Sequence, residues 1–418
     1  MSGADTRWDV LIVGGGPVGA CAGALLQRAG GAARRPLRIG LLEPARPAPP
    51  AAGTALDARV SAWSRSSERI LSAAGAWQRM AAERIQPYER MCVWPAHMPA
   101  RSADALRFDA AYVGESNLGS IAENRLVQCA VLDAFEAAGG TILPGGFSGL
   151  EIHEDEVQVR AAEQVLSCKL LVGADGACSR VRDALGVATR ITSYEQTAIV
   201  ANVRTERAHE RTAWQRFLGA GTLAFLPLAD GSSSIVWSVQ EALARERLAL
   251  PAAQFEQELL SASDGVLGAL ELCTQRVGLP LRRLRAERLS AARCALLGDA
   301  AHVVHPLAGQ GVNLGLLDAA ALADCVLEAL KRGEDPGAAA ALRRYERWRK
   351  SELAPMMLAI DAFNRFLAHD SGPLAHLAQH GLVWVNRSEA AKRLFIGRAL
   401  GLAGELPTTA RVRAAAFS

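Results

Sequence analysis

The chain has 418 residues, 50% hydrophobic and 21% charged, with a formal net charge of +3, which allows two or three domains around a real core. The near-neutral balance, with no basic run interleaved with aromatics, argues against nucleic-acid binding. The eight cysteines (Cys21, Cys92, Cys129, Cys168, Cys178, Cys273, Cys294 and Cys325) are scattered without a CxxC pair, so reduced core thiols are expected, not a disulfide framework or zinc site.

In chain order, an apolar β-type run at 9–13 comes almost at once, without the charged region, apolar stretch and cleavage site of a secretory signal. Gly14-Gly15-Gly16-Pro17-Val18-Gly19 follows, and the Ala- and Leu-rich stretch 20–29 predicts a helix. A second strand, 38–42, ends in Glu43 and completes a βαβ unit. The Pro/Ala stretch 46–52 is a loop. Residues 61–80 have helical character, 86–112 are mixed, 124–138 predict a helix, and 141–159 alternate as strands do. A short buried strand is expected at 170–172. The block 197–239 is strand-rich (198–203, 222–227, 234–239), and 253–261 reads as a helix. A buried strand at 295–297 precedes a glycine-rich turn and a long helix over 315–330; beyond about residue 340 the pattern is helical only. No apolar run approaches the ~20 residues of a membrane span, so a cytoplasmic protein is expected. With α/β segments first and last and a β-rich block between, the pattern is that of a discontinuous nucleotide-binding domain with a second domain inserted.

The turn Gly14-x-Gly16-x-x-Gly19 leaves a strand and opens a helix. Gly14 permits the tight turn, Gly16 lets the backbone approach a pyrophosphate, and Gly19 lets helix and strand pack closely. The helix N-terminus offers free N–H groups and its positive dipole end to phosphates, with Pro17 and Val18 opening it. Glu43, at the end of the next strand, stands where an acid bonds a ribose hydroxyl. This motif alone does not separate FAD from NAD.

Two further turns repeat the arrangement. Gly173-Ala174-Asp175-Gly176 follows the strand at 170–172, and Leu297-Gly298-Asp299-Ala300-Ala301-His302 follows the strand at 295. Each Asp lies at a strand's carboxyl end, where α/β sheets bind ligands. Beyond the second runs His305-Pro306-Leu307-Ala308-Gly309-Gln310-Gly311-Val312-Asn313-Leu314-Gly315, with Asp318 after it. Its glycines expose N–H groups at a helix start, which can stabilise negative charge on a flavin ring or its phosphates.

These residues resemble the flavin-dependent aromatic hydroxylases, the group that includes para-hydroxybenzoate hydroxylase. More narrowly, the 305–315 run with Asp318, Asp57-Ala-Arg59, Gly75-Ala-Trp77, Leu118-Gly119, Glu123-Asn124, Gln215-Arg216-Phe217, Leu226-Pro227-Leu228, Val236-Trp237-Ser238 and the ending 401–407 resemble the hydroxylases of ubiquinone biosynthesis. Cys178 departs from the family's usual Asn. The resemblance implies an α/β fold: a Rossmann-like FAD-binding domain (1–80, 117–187, 288–342), an inserted β-sheet substrate domain (81–116, 188–287) and a C-terminal helical region (343–418). It implies that Gly14, Gly16, Gly19, Glu43, Asp175 and Asp299 serve FAD, that Arg59 lies near its phosphates and Gln128 near its ribityl chain, and that Gly309 to Asn313 meet the isoalloxazine ring, with His305 and Pro306 flanking it. It further implies NAD(P)H as a transient reductant, O2 as co-substrate, and ring hydroxylation of a phenolic or polyprenylated quinone precursor through a flavin C4a-hydroperoxide. Other small phenols as substrates, or a non-catalytic flavin-bearing subunit of a quinone-synthesis complex, are the alternatives. The halogenase segment WxWxI is absent from the sequence, which favours hydroxylation.

His302 and His305 beside Asp299 have a spacing that suggests a metal, but three weak ligands at a nucleotide turn read better as structural or flavin-adjacent groups, so no metal is expected. No GxSxG elbow appears. Trp63, Trp77 and Trp237 read as packing residues. From Arg343 onward twelve Arg and Lys stand against six Asp and Glu, a local +6 that leaves about −3 for the rest. With the apolar clusters Leu374/Leu377, 382–385 and 394–396, this tail is either a helical cap on the core or a surface for peripheral contact with the inner face of an anionic membrane.

Overall fold

The computed structural model describes residues 7–30, 36–51, 53–162, 164–219, 221–305, 310–367 and 403–411, with single positions at 388, 397 and 401. The tail clusters 374–377, 382–385 and 394–396 lie outside the described residues.

In chain order the first elements are β1 (Arg7–Val13), α1 (Pro17–Gly30), β2 (Ile39–Leu42), β3 (Val60–Ser64), α2 (Arg65–Ala73), β4 (Gln86–Tyr88), β5 (Arg90–Pro95), β6 (Leu106–Asp109) and β7 (Gly119–Glu123). Next come α3 (Asn124–Ala137), β8 (Thr141–Leu143), β9 (Phe147–Ile152), β10 (Val157–Ala161), β11 (Gln164–Gly173), α4 (Arg180–Ala184) and β12 (Thr189–Thr205). Then follow β13 (Thr212–Leu218), β14 (Gly221–Pro227), β15 (Ser233–Gln240), α5 (Glu241–Ala249), α6 (Ala252–Ala262), β16 (Leu270–Leu272) and β17 (Val277–Ala286). The last are β18 (Ser290–Ala291), β19 (Cys294–Leu296), β20 (His302–Val303), α7 (Gln310–Lys331) and α8 (Ala339–Leu367).

Strands β19, β11, β1, β2 and β8 lie side by side and parallel in an eight-stranded sheet. Val10, Leu11, Ile12, Leu170, Leu171 and Val172 are sealed from solvent, as strands of a parallel sheet covered on both faces must be. Helix α1 packs on α3 and α7. The second sheet has nine strands, in the order β20-β17-β12-β15-β14-β13-β5-β6 with β16 beside β12. A third, β3-β7-β4, has three.

The nine-stranded sheet has two unlike faces because successive strand residues point opposite ways. Ile199, Ala201, Leu223, Phe225, Ile235 and Trp237 join Phe255 and Leu259 of α6 in a separate core. Their neighbours Ala198, Val200, Ala224, Leu226 and Val236 face the other way, into a cleft.

Local periodicity misplaces one boundary. Residues 61–64, read as helical, form the end of β3, because they pair with the remote β7, from Ser61↔Ala122 to Ser64↔Gly119; a distant partner overrides the local pattern. Helix α2 starts only after Ser64, whose hydroxyl accepts from the Ser67 N–H as its N-cap. The cysteine reading is also corrected: Cys178 and Cys273 are exposed, the other six buried, and all eight are free. Trp63 and Trp237 are fully buried, and Trp77 packs on the main core. No helix among the described residues is long and apolar enough to cross a membrane.

Candidate active site: a cleft between two sheets

The three glycine-bearing turns leave neighbouring parallel strands at the same end. Val13 pairs with Gly173, and Gly173 with Leu296, so the turns after β1, β11 and β19 emerge side by side, where α/β sheets bind ligands. They also lock together. Gly14 has φ +106°, and a Cβ there would strike the Ala174 carbonyl. A Cβ on Gly19 would strike the Gly14 carbonyl, which is the close helix–strand approach the motif requires. Val18 lies against Gly298 and Gly315, where added Cβ atoms would come within 3.3 and 2.6 Å of it.

Above these turns is a cleft of about 700 Å³. Its floor includes Gly16, Pro17, Val18, Ala174, Gly176, Asp299, Gly311 and Val312; its roof is the exposed face of the nine-stranded sheet. The N-termini of α1 and α7 both reach the floor, and neither has an acidic residue in its first turn. Neither positive end is therefore offset by an acid of its own first turn. Arg59 and Arg125 are exposed on its lining.

The residues singled out in the sequence divide between this lining and its support. Gly16, Pro17, Val18, Arg59, Gln128, Asp299, Gly311 and Val312 line the cleft. Glu43 is behind it: its carboxylate accepts from the N–H groups of Gly15 (2.8 Å) and Ala45 (3.1 Å). Gln128 donates to the Gly15 carbonyl at 3.0 Å, so the peptide groups on both sides of Gly15 are held. Asp299 opens to the cleft but is crowded by protein elsewhere. That burial raises its pKa, while His302 and Arg282 pull it down.

Four of these side chains bond or pack within the protein itself. The Asp175 carboxylate accepts from the Ser179 hydroxyl (2.5 Å) and from the N–H groups of Arg180 (2.7 Å) and Val181 (3.2 Å), so it holds the start of α4 and does not face the cleft. The Asn313 side chain is buried in the core. Its oxygen accepts from Ser64 N–H and the Ser67 hydroxyl, and its amide donates to the Ala62 carbonyl, clamping α7 to β3 and α2. His305 is buried against β12, with Gln196 at 3.3 Å and the Tyr194 ring edge-on at 4.9 Å. His302 turns inward to Asp318. Pro306 and Gly309 lie outside the described residues, and α7 begins at Gln310. Cys178 is beside the Arg282 guanidinium, 3.4 Å from Sγ.

Two buried ionic groups escaped the sequence reading in their true roles. Asp318 accepts from Gly298 N–H (3.0 Å), His302 Nε2 (2.6 Å) and Arg349 Nε (2.6 Å), joining the Asp299 turn to α7 and α8. Burial alone would raise the Asp318 pKa; His302 and Arg349 outweigh it and hold the group below the ordinary carboxylate range. Glu123 forms a two-pronged pair with Arg84 (2.6 and 2.8 Å), both buried, and also accepts from Asp57 N–H. A charged run at a strand–helix junction gives no sign of which charge turns inward; only the fold brings Arg84 to it.

A cleft at the ends of parallel strands, with helix N-termini on one wall and an apolar sheet on the other, is the arrangement of a nucleotide-cofactor enzyme. A family model described as FAD binding domain matches residues 122–356. The chain is 35% identical over 401 residues to the 3-demethoxyubiquinol 3-hydroxylase of Escherichia coli, covering 94% of this chain and 98% of the relative. It is 36% identical to the ubiquinone hydroxylase UbiL of Rhodospirillum rubrum (95% and 90%) and 32% identical to the human mitochondrial ubiquinone biosynthesis monooxygenase COQ6 (91% and 90%). Among solved structures, the p-nitrophenol 4-monooxygenase PnpA of Pseudomonas putida shares the fold, with a TM-score of 0.74 at 18% identity over 95% of this chain and 98% of that one. The chain belongs to the FAD-dependent monooxygenases, in the branch of the ubiquinone-biosynthesis hydroxylases. NAD(P)H as reductant is typical of that family.

Proposed function

We propose that the protein hydroxylates the aromatic ring of a phenolic, polyprenylated ubiquinone precursor, using NAD(P)H and O2. The observation that carries this reading is the pairing of walls in one cleft: phosphate-ready turns and helix ends below, an aliphatic sheet above. The residues present fit FAD. A Cβ on Gly16 would meet nothing within 4 Å, so the loop leaves open space where a pyrophosphate would approach. The N–H groups of early α1 and the Arg59 guanidinium would bind the phosphates. Glu43 would receive a ribose hydroxyl on its remaining lone pairs, Gln128 would face the ribityl chain, and Asp299 would accept from a sugar hydroxyl. Gly311 and Val312 at the start of α7 would direct N–H groups to the ring.

When bound, FAD supplies the redox and oxygen-activating chemistry. The chain holds the ring against the floor, and the aliphatic roof keeps water from the reaction zone. We read 1–80, 117–187 and 288–342 as the FAD-binding domain, 81–116 and 188–287 as the substrate domain and 343–418 as the helical region. In support, every strand of the eight-stranded sheet comes from the first set, and all but β20 of the nine-stranded sheet from the second.

The test uses purified yellow protein with a 2-polyprenylphenol under ¹⁸O2. NAD(P)H oxidation should accelerate with the phenol, and the product ring should gain one labelled oxygen. No acceleration with any phenol would overturn the reading and favour an accessory flavoprotein; turnover of unprenylated phenols alone would move the substrate elsewhere in aromatic metabolism. A prenylated substrate resides in a bilayer, so we also propose peripheral membrane contact through the basic tail. Full-length protein should bind anionic liposomes more than a truncation before Asn364, and equal weak binding by both would refute it.

A further inference from the structure

The roof of the cleft is aliphatic except for one group. On the lining strands of the nine-stranded sheet the side chains are Ala, Val, Leu and Met, and Gln215 alone carries an amide or hydroxyl. Trp214 also lines it, but its ring packs on the far core, edge-on to Trp94 at 6.1 Å. Gln215 is at the centre of β13, between Val93 of β5 and Ala224 of β14. The residue is only 4% exposed, and its amide oxygen has no hydrogen-bond partner among the described residues. Buried polar groups nearly always find partners, and an exception calls for a reason. A Leu or Met of similar size would fit this aliphatic wall without leaving an acceptor unmet. The oxygen is itself sealed as the side chain rests, but Gln215 lines the cleft beside the small Ala213 and Ala224, which leave its terminal amide room to turn the oxygen towards a ligand.

We propose that Gln215 is the specificity-determining residue of the roof: its amide oxygen accepts the phenolic O–H of the bound ring. This rests on the hydroxylase reading above. Gln215 is neutral and takes no proton; the O–H bond stays intact while the hydrogen bond forms. Fixing one ring oxygen on a rigid strand fixes which ring carbon faces the flavin, since the ring can then only swing about that anchor. Ring position is thereby selected by one polar contact on an otherwise permissive apolar wall, the arrangement that small-molecule sites use for orientation.

The experiment compares binding of 2-geranylphenol and its O-methyl ether to the oxidised holoenzyme, followed by flavin absorbance. The ether keeps the shape and lacks the donor. Wild type should bind the phenol more tightly by roughly ten- to a hundredfold. In Gln215→Leu this ratio should fall to about one, with ether affinity and FAD content unchanged, and turnover should release more peroxide per NAD(P)H. Gln215→Met, unbranched and of similar length, carries the test if the Leu variant fails to fold. A wild type that binds both ligands alike, or neither, overturns the proposal, as does a ratio that survives in the variants. Since the readout is binding, it is separate from the hydroxylase reading, which fails only if the wild type transfers no oxygen to a phenol.

Discussion

At the scale of single residues, the glycines of the first turn do different work, and substitution separates it. A Cβ on Gly19 would collide with the Gly14 carbonyl and force α1 off β1, whereas a Cβ on Gly16 would meet no protein atom within 4 Å. Gly19→Ala should therefore lower both the thermal midpoint of the apoprotein and FAD affinity. Gly16→Ala should leave the apoprotein midpoint unchanged and weaken FAD alone, as read by flavin fluorescence on titration. Equal loss of apoprotein stability in both variants would mean that Gly16 is structural. Asp318 offers a second test. Its folded pKa is depressed, so the stability it contributes is complete above the unfolded value of ~3.9 and is lost as pH falls through the folded value. Arg349→Met leaves a buried carboxylate with His302 and one N–H, and should cost roughly 3–5 kcal/mol at neutral pH. In denaturant melts the gap to wild type should narrow as the pH falls into the acid range, because without Arg349 the buried carboxylate takes a proton more readily than in wild type.

At the scale of elements, the Arg84–Glu123 pair fastens the loop before β3. Arg84 donates to the carbonyls of Thr54 and Ala55, Glu123 accepts from Asp57 N–H, and Asn124 N–H donates to the Arg59 carbonyl. Glu123 holds the Arg84 pKa up despite its burial. Glu123→Gln removes the charge but keeps the shape, stranding a buried guanidinium; roughly 3–5 kcal/mol should be lost. Because the same loop carries Arg59 to the cleft, FAD dissociation should also quicken, measurable by the rise of free-FAD fluorescence after rapid dilution of the holoprotein. A stability loss with unchanged FAD dissociation would show that the loop does not position Arg59. This network was beyond sequence reasoning for the reason that misplaced β3. The helix α3, bounded at 124 and amphipathic, was legible from its own residues. Residues 60–64 became a strand only because β7, nearly sixty residues away, supplies the other half of the ladder, from Val60↔Glu123 to Ser64↔Gly119.

At the scale of the whole molecule, the floor of the cleft was legible because each turn is a local motif following a buried strand, and β1, β11 and β19 then bring them together. Even there, only the structure distinguishes the Asp that faces the cleft, Asp299, from the one that holds a helix, Asp175. The roof was not legible. Strand alternation in β12, β14 and β15 divides the residues into two sets, but both sets are apolar. Which set meets α6 and which meets the cofactor domain is settled by how the sheets dock, and no local pattern records that. The division of labour between the walls makes a further prediction. Ala224 is on the roof, opposite the floor built by the glycine turns, in a strand with no residue in any of the three motif turns. Ala224→Phe adds a ring to the cleft without touching the floor. FAD content and the apoprotein midpoint should stay as in wild type. Hydroxylation of a prenylphenol should fall at least tenfold through KM, since a filled pocket loses the substrate's apolar contact, while residual NAD(P)H oxidation should yield peroxide in place of product. Steady-state kinetics with peroxide detection reads all of these together. Loss of FAD from this variant would mean that the flavin, not the phenol, occupies the space beneath the sheet, and the two walls would exchange their assignments.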